Sequence, residues 1–343
     1  GRLTCGRMAA ISDPGSSLLE QLIVGTRASA LARRQTEWVF AALQAAWPGL
    51  SIVIREFTTA GDRDAVRPLP EIGGKGLFTA DLADALATGA IDLAVHSLKD
   101  LPVSPGRGLA ELPDPCGTFP GREGAVLPLC IGAVPPREDA RDALISRHGV
   151  GLAELPRQPR IGTGSPRRAA QLLASRPDAQ IVPLRGNVDT RLRKALTAEY
   201  DAIVLAAAGL ARLGLADRVT QYLPFDVMLP AAGQGALAVQ CRADDRLVRD
   251  LLAPIHDPAA EAATVAERAF LAATGGGCCA PVGAYGEAEA PSLRLAALVA
   301  RPDGSQIIRV SGEGAFAEPE VLGARLAQMA LASGAAQLLA DCR

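Results

Sequence analysis

Lysine is scarce in this chain. Lys75, Lys99 and Lys194 are the only three among 35 basic residues, and the rest are arginine. An alanine-rich composition can bring such a bias by itself. The lysines that persist are nonetheless candidates for places where a compact ammonium is needed and a planar fork does not fit. Lys75 and Lys99 are the stronger candidates, because Lys194 falls on an exposed helix face. Aromatic residues make up 3% of the chain, too few for the stacking platforms that hold single-stranded nucleic acid. The net charge of −2 also lacks the basic excess of a general nucleic-acid binder, so no nucleic-acid partner is expected. No stretch reaches the roughly 20 unbroken apolar residues of a membrane span, so no membrane partner is expected either. The seven cysteines, at 5, 116, 130, 241, 278, 279 and 342, contain no CxxC pair and are odd in number. That argues against a disulfide framework or zinc site and for a reducing cytoplasm. Three histidines, His96, His148 and His256, are too few for a His-rich centre, so no metal is expected. Residues 1–17 lack a basic stretch followed by an apolar run, so no secretory signal is read there. Residues 1–19 are expected to be a disordered or added tail, with Met8 a possible natural start.

What is present is enough for a large globular protein. A chain of 343 residues with 49% hydrophobic and 21% charged residues should fold as two or three domains. Strand-like runs at 22–24, 51–57 and 91–95 alternate with helical patterns at 31–46 and 79–87, the rhythm of a mostly parallel sheet. Residues 101–136 hold eight prolines and six glycines without periodicity, and read as a crossing segment followed by a long surface loop. A second α/β rhythm follows, with strands at 160–163, 181–184 and 202–205 and helices at 139–146, 166–175 and 188–198. A strand at 237–241 and a helix at 244–252 come next. After residue 258 the pattern becomes helix, three strands and helix, the order of a small α+β domain. The expected organisation is therefore α/β for 20–104 with 236–255, α/β for 105–235 including a long loop at 108–136, and α+β for 256–343.

Several segments carry chemistry. Gly25-Thr26-Arg27-Ala28-Ser29 follows a strand and opens a helix, where backbone N–H groups favour anions and Arg27 adds a fork donor. Taken alone it reads better as a capped helix start. Gly73-Gly74-Lys75-Gly76 describes a flexible loop able to close on an anion, or a plain turn. Val95-His96-Ser97-Leu98-Lys99-Asp100 stands at the carboxyl end of a strand, where α/β sheets bind ligands. Lys99 there can hold a carboxylate, and Asp100 can accept N–H bonds and steady positive charge on a ring. The plain alternative is a surface ion pair, with His96 a structural histidine. Gly162-Thr163-Gly164-Ser165-Pro166-Arg167-Arg168 repeats the strand-end design with proline at the first helical position. Leu184-Arg185-Gly186-Asn187-Val188-Asp189-Thr190-Arg191 repeats it again. Arg212 follows Ala207-Ala208-Gly209-Leu210-Ala211. A single arginine is usually a solvated surface residue. Arg27, Arg167, Arg168, Arg185, Arg191 and Arg212 all fall at or just after strand ends, and such a set suits a ligand with many carboxylates or phosphates. Gly275-Gly276-Gly277-Cys278-Cys279-Ala280-Pro281 puts thiols on a glycine-rich loop, which by itself reads as incidental.

Together these segments resemble the porphobilinogen deaminase (hydroxymethylbilane synthase) family from about residue 22 onward. The resemblance rests on VHSLKDLP at 95–102, LRGNVDTRL at 184–192, YDAIVLAAAGLARLGL at 200–215, LPAAGQGALAVQCR at 229–242 and GGCCAPVGAY at 276–285. It implies two α/β domains like those of periplasmic binding proteins and a small C-terminal α+β domain. It also implies a transferase that joins four porphobilinogen molecules head to tail into hydroxymethylbilane, in tetrapyrrole and heme biosynthesis, as a cytoplasmic monomer. A dipyrromethane cofactor would be attached by a thioether to Cys278, the spacing to Pro281 selecting it over Cys279. Asp100 would be the catalytic carboxylate. Lys99, Arg27, Ser29, Ser165, Arg167, Arg168 and Arg191 would bind cofactor. Arg27, Arg185, Arg191, Arg212 and Lys75 would bind substrate. The chemistry implied is loss of ammonia to an azafulvene cation, attack by the α-carbon of the growing chain, and final release by water, with no metal. Two departures stand out: the segment 108–136 is longer than the family usually shows, and Glu71 stands four residues before Lys75 where some relatives carry lysine. A non-catalytic anion-binding protein built from two similar lobes is the alternative.

Overall fold

The computed structural model of the protein describes residues 21–58, 79–103, 118–120, 126–275 and 280–340. The expected tail 1–19, Glu71, Lys75, Cys116, Cys278 and Cys279 lie outside these residues. The first sheet begins with β1 (Leu22–Arg27), joined through α1 (Ala30–Ala46) to β2 (Ile52–Phe57), and through α2 (Ala80–Ala87) to β3 (Leu93–Ser97). β1 lies between β2 and β3 and runs parallel to both. Alternation along the strands decides which residues face α1. Leu22, Val24, Leu93 and Val95 pack with Val39 and Leu43 of that helix. The opposite face takes Ala94 against Leu82 and Leu86 of α2. A Cβ on Gly25 would collide with the side chains of Ile91 and Leu82, so glycine lets α2 approach closely.

The sheet is completed by β4 (Thr118–Pro120), β5 (Val126–Ala133) and β11 (Leu237–Arg242), in the order β2-β1-β3-β11-β5-β4. β11 is antiparallel to both β3 and β5. The sequence reading of 108–136 as a surface loop of the second unit is thus corrected. Val126–Ala133 is an inner strand of the first sheet, and Leu129, Cys130 and Ala133 are fully buried. Proline and glycine density hid a strand whose apolar residues are covered from both sides.

The second sheet has the order β10-β6-β9-β7-β8, from β6 (Asp142–Ser146), β7 (Arg160–Gly162), β8 (Gln180–Val182), β9 (Ala202–Ala206) and β10 (Gln221–Leu223). Its helices are α3 (Pro166–Ser175), α4 (Val188–Ala195) and the short α5 (Ala207–Arg212). The helix read at 139–146 is instead strand β6. All five of its residues are buried between β10 and β9, and a short run covered on both faces has no periodicity to separate strand from helix. The chain crosses between the two sheets twice, over 134–141 and 224–236. After α6 (Arg246–Leu252), α7 (Pro258–Ala273) leads into the antiparallel meander β12 (Val282–Glu289), β13 (Ser292–Ala300) and β14 (Ile307–Ala315), followed by α8 (Pro319–Ala330) and α9 (Ala336–Ala340). Phe270, Leu322 and Leu326 from α7 and α8 pack with Leu293 and Leu295 of that sheet.

If β5 is an inner strand, Leu129→Ala should destabilise the protein by about 2–5 kcal/mol in chemical denaturation, the range for emptying a packed site. A loss within about 0.5 kcal/mol would return the segment to the surface.

Candidate active site

Four strand ends and their following turns build the cleft. At the end of β1, Ser29 caps α1: its hydroxyl accepts the Ala32 N–H at 3.3 Å, which leaves the hydroxyl proton free to donate elsewhere. Arg27 on the same turn is half-buried beside His96. Burial holds the His96 imidazole down at about 4, Gln240 opposes that shift, and the Arg27 charge adds to it. His96 is therefore neutral at physiological pH, in keeping with a structural role. At the end of β3 the chain makes a 3-10 turn, Leu98–Asp100, that buries Leu98 and sends Lys99 and Asp100 toward the second sheet.

On the second sheet Ser165 caps α3, accepting the Arg168 N–H at 3.4 Å, and Pro166 occupies the first turn. Arg167 and Arg168, 4% and 6% exposed, converge on Asp142, which is wholly buried at the start of β6. Arg167 Nη1 donates to Asp142 Oδ2 at 2.7 Å and to the Leu229 carbonyl at 2.6 Å. Arg168 donates through Nε and Nη2 to Asp142 Oδ1 at 3.0 and 2.7 Å, and through Nη1 to the Val204 carbonyl at 3.1 Å. Burial alone would push the Asp142 carboxyl up; the two guanidinium charges and their hydrogen bonds overrule it and hold it well below the usual range. The sequence reading took these arginines as open donors. Two N–H groups of Arg167 and three of Arg168 are instead spent on Asp142 and carbonyls, half of the ten that two guanidinium groups offer, and the rest remain for a ligand.

Arg191, on α4, is fixed differently. Asn187 caps the helix by accepting the Thr190 N–H at 2.9 Å, and Gly186 takes a φ of 110° where a Cβ would press on Thr190. Arg191 Nε donates to the Gly186 carbonyl at 2.8 Å, leaving its two Nη groups without an acceptor among the described residues. Its pKa is pulled down to about 10, first by burial, then by the charges of Arg168 and Arg185, against the support of Asp100. Lys99 is pulled down to about 8, again first by burial, with Asp100 and Asp142 supporting the charge and Arg168 and Arg167 opposing it. These mutual influences place Lys99, Asp100, Arg167, Arg168, Arg185 and Arg191 around one space. Arg212 stands apart from them. It donates to the Gly235 carbonyl at 2.7 Å, on the second crossing, and faces Glu138. Lys75, Cys278 and Cys279 fall outside the described residues.

Sequence reasoning missed three residues that organise this cleft: Asp142, Gln234 and Glu267. Asp142 carried a faint signal, a lone acid opening the apolar run Ala143-Leu144-Ile145. Gln234 and Glu267 carried none, since their partners lie far away in sequence.

Asp100 and Asp142 divide the two tasks a carboxylate can have here. Asp142 is saturated. Asp100 is exposed and accepts no hydrogen bond among the described residues, although it sits within reach of the charges on Lys99 and Arg191. The two cations, buried with too little negative charge, fit a ligand carrying several carboxylates.

Lys99 gives a direct test. Its folded value near 8 lies below the ordinary 10.5, so the unfolded chain holds the extra proton between those limits, and this group makes stability rise with pH across that window. With the lysines reductively methylated with carbon-13, one dimethyl-lysine resonance should titrate near pH 8 without ligand and move upward when a polycarboxylate binds. Titration of every resonance near 10 would refute the crowding of positive charge.

The family model described as "Porphobilinogen deaminase, dipyromethane cofactor binding domain" matches residues 22–112 and 125–250, and that described as "Porphobilinogen deaminase, C-terminal domain" matches 262–332. The first match is interrupted between residues 112 and 125, within the segment 108–136. A porphobilinogen deaminase of Syntrophotalea carbinolica is 48% identical over 319 residues, 93% of this chain and 95% of that one. That of Roseiflexus sp. (strain RS-1) is 48% identical over 323 residues, 94% and 99% of the two chains. That of Geobacillus kaustophilus is 46% identical over 324 residues, 94% and 97%. The chain therefore belongs to the porphobilinogen deaminase family, transferases that build hydroxymethylbilane from porphobilinogen on a dipyrromethane cofactor.

Proposed function

We propose that Asp100 is the catalytic carboxylate of porphobilinogen polymerisation and that Cys278 carries the dipyrromethane. The observation that carries the reading is the unsaturated Asp100 carboxylate in a cleft whose other groups are cations. When bound, the dipyrromethane supplies a free pyrrole α-carbon as nucleophile. Lys99, Ser29, Ser165 and the remaining N–H groups of Arg167, Arg168 and Arg191 hold its acid groups. Arg27, Arg185 and Arg191 hold the acetate and propionate of the incoming substrate, and Lys75 is assigned to the same ligand. Arg212 acts from the edge of the site, at the second crossing.

Asp100 accepts the pyrrole N–H of the substrate. As the aminomethyl C–N bond breaks and ammonia leaves, the ring nitrogen feeds electrons outward and becomes positive. A carboxylate about 4 Å from that charge stabilises it by roughly 4 kcal/mol at an effective dielectric near 20, on the order of a thousandfold in rate. Lys99 and Arg191 are the cations within reach of the Asp100 carboxylate. The arginines offset the negative charge that accumulates with each added ring.

The same reading makes the protein a cytoplasmic monomer without nucleic-acid or membrane partners, organised as three domains. The supports are the net charge of −2 and the lack, among the described residues, of any helix long and apolar enough to cross a membrane. The first domain is better bounded by the end of β5 at Ala133 than by residue 104.

Asp100→Asn should keep the fold and the covalent adduct while kcat falls by about 10²–10³-fold, the usual effect of removing a preorganised charge-stabilising group. A residual rate within a factor of five would remove Asp100 from the chemistry. Intact-mass measurement should find a dipyrrole adduct on the purified protein, absent in Cys278→Ser and retained in Cys279→Ser. The reverse pattern would move the attachment to Cys279.

A further inference from the structure

Gln234 is 1% exposed and lies on the second crossing between Gly233 and Gly235, both with positive φ. Its amide is used from both ends. Oε1 accepts from Lys99 Nζ at 3.4 Å. Nε2 donates to the Ala140 carbonyl at 2.8 Å and to Asp142 Oδ1 at 3.0 Å. Its backbone carbonyl accepts from Arg137 Nε at 2.9 Å, which ties the two crossings together. One side chain thus touches the lysine of the first sheet and the carboxylate that anchors both buried arginines of the second.

We propose that Gln234 is a positioning residue that holds Lys99 in register with the Asp142–Arg167–Arg168 cluster across the two lobes. The amide suits the place because it offers an acceptor to a cation and a donor to an anion at the same time. Glutamate would keep the partner of Lys99 but set a second carboxylate against Asp142. An apolar side chain would leave the Ala140 carbonyl without its Gln234 donor in the core, which is unfavourable. Register matters because displacing a binding group by about 1 Å can cost on the order of a hundredfold in rate. The inference rests on the reading of Lys99 as a cleft cation, and the test separates the two.

The experiment compares the cofactor-loaded parent with Gln234→Glu and Gln234→Met, both close in shape to glutamine. Three quantities are read: the carbon-13 dimethyl-lysine titration of Lys99, kcat and KM for porphobilinogen, and adduct occupancy by intact mass. In Gln234→Glu the Lys99 midpoint should rise by about one unit or more, the size expected for a new adjacent charge. In Gln234→Met, which removes the acceptor, it should fall. Both variants should lose tenfold or more in kcat/KM, more in kcat than in KM, with the adduct still present. Gln234→Met also covers the case in which Gln234→Glu fails to fold. An unmoved Lys99 midpoint in a folded variant overturns the proposal. So does a moved midpoint with kcat/KM within twofold of the parent. Full turnover in Lys99→Met would instead remove Lys99 from the site, which is the separate failure of the underlying reading.

Discussion

The cleft depends on one buried carboxylate. Asp142 sits at the start of a strand with no access to solvent and binds Arg167, Arg168 and Gln234 at once. Burying three charges is costly, and such a cluster is not by itself a source of stability. Breaking it is another matter. Removing one partner of a buried pair leaves an uncompensated charge and typically costs 3–5 kcal/mol. The arrangement is best understood as a means of placement. Two adjacent arginines on α3 would otherwise point in different directions around the helix. A single acid beneath them draws both guanidinium groups to the end of the sheet where β6 begins and β9 ends.

One acid against two arginines leaves a surplus of positive charge, and Lys99 and Arg191 are added to that surplus. The protein does not neutralise them. Lys99 is held near 8 and Arg191 near 10, each lowered by burial and by neighbouring cations. Without ligand the cleft is therefore strained electrostatically, and each carboxylate that enters relieves repulsion as well as forming hydrogen bonds. That is a physical reason for affinity toward polycarboxylates that does not require every donor to be free. Asp100 adds the opposite element. It is a single uncommitted negative charge among cations, and positive charge can develop beside it without displacing another partner.

Much of this was legible in sequence because strand ends and helix caps are local. Ser29, Ser165 and Asn187 each cap a helix that opens at a strand end, and the arginines next to them could be placed in one region by spacing alone. The α/β rhythm of the first unit followed from the same short-range pattern. What escaped was long-range. Val126–Ala133 lies in a segment rich in proline and glycine, and only its neighbours β11 and β4 make it a strand. The 139–146 stretch has apolar residues that fit either period, and burial on both faces resolved it as β6. Asp142, Gln234 and Glu267 are ordinary polar residues until their partners, between 19 and 135 positions away, are brought to them.

Glu267 shows how the third sheet is joined to this machinery. Its fully buried carboxylate on α7 accepts from Arg137 at 2.6 and 3.1 Å, from the Gly233 N–H at 2.6 Å and from the Gly286 N–H at 2.8 Å. Arg137 belongs to the first crossing, Gly233 to the second and Gly286 to β12. One side chain therefore pins both connections between the larger lobes to α7 and β12. A change in the angle between the lobes must bend these two crossings, because among the described residues they are the covalent links between the two sheets. Any such motion is then transmitted through Glu267 to α7. The third sheet is thus attached at the two crossings, with Phe225 of the second crossing stacked on Tyr285 of β12 at 3.9 Å as the apolar counterpart of Glu267.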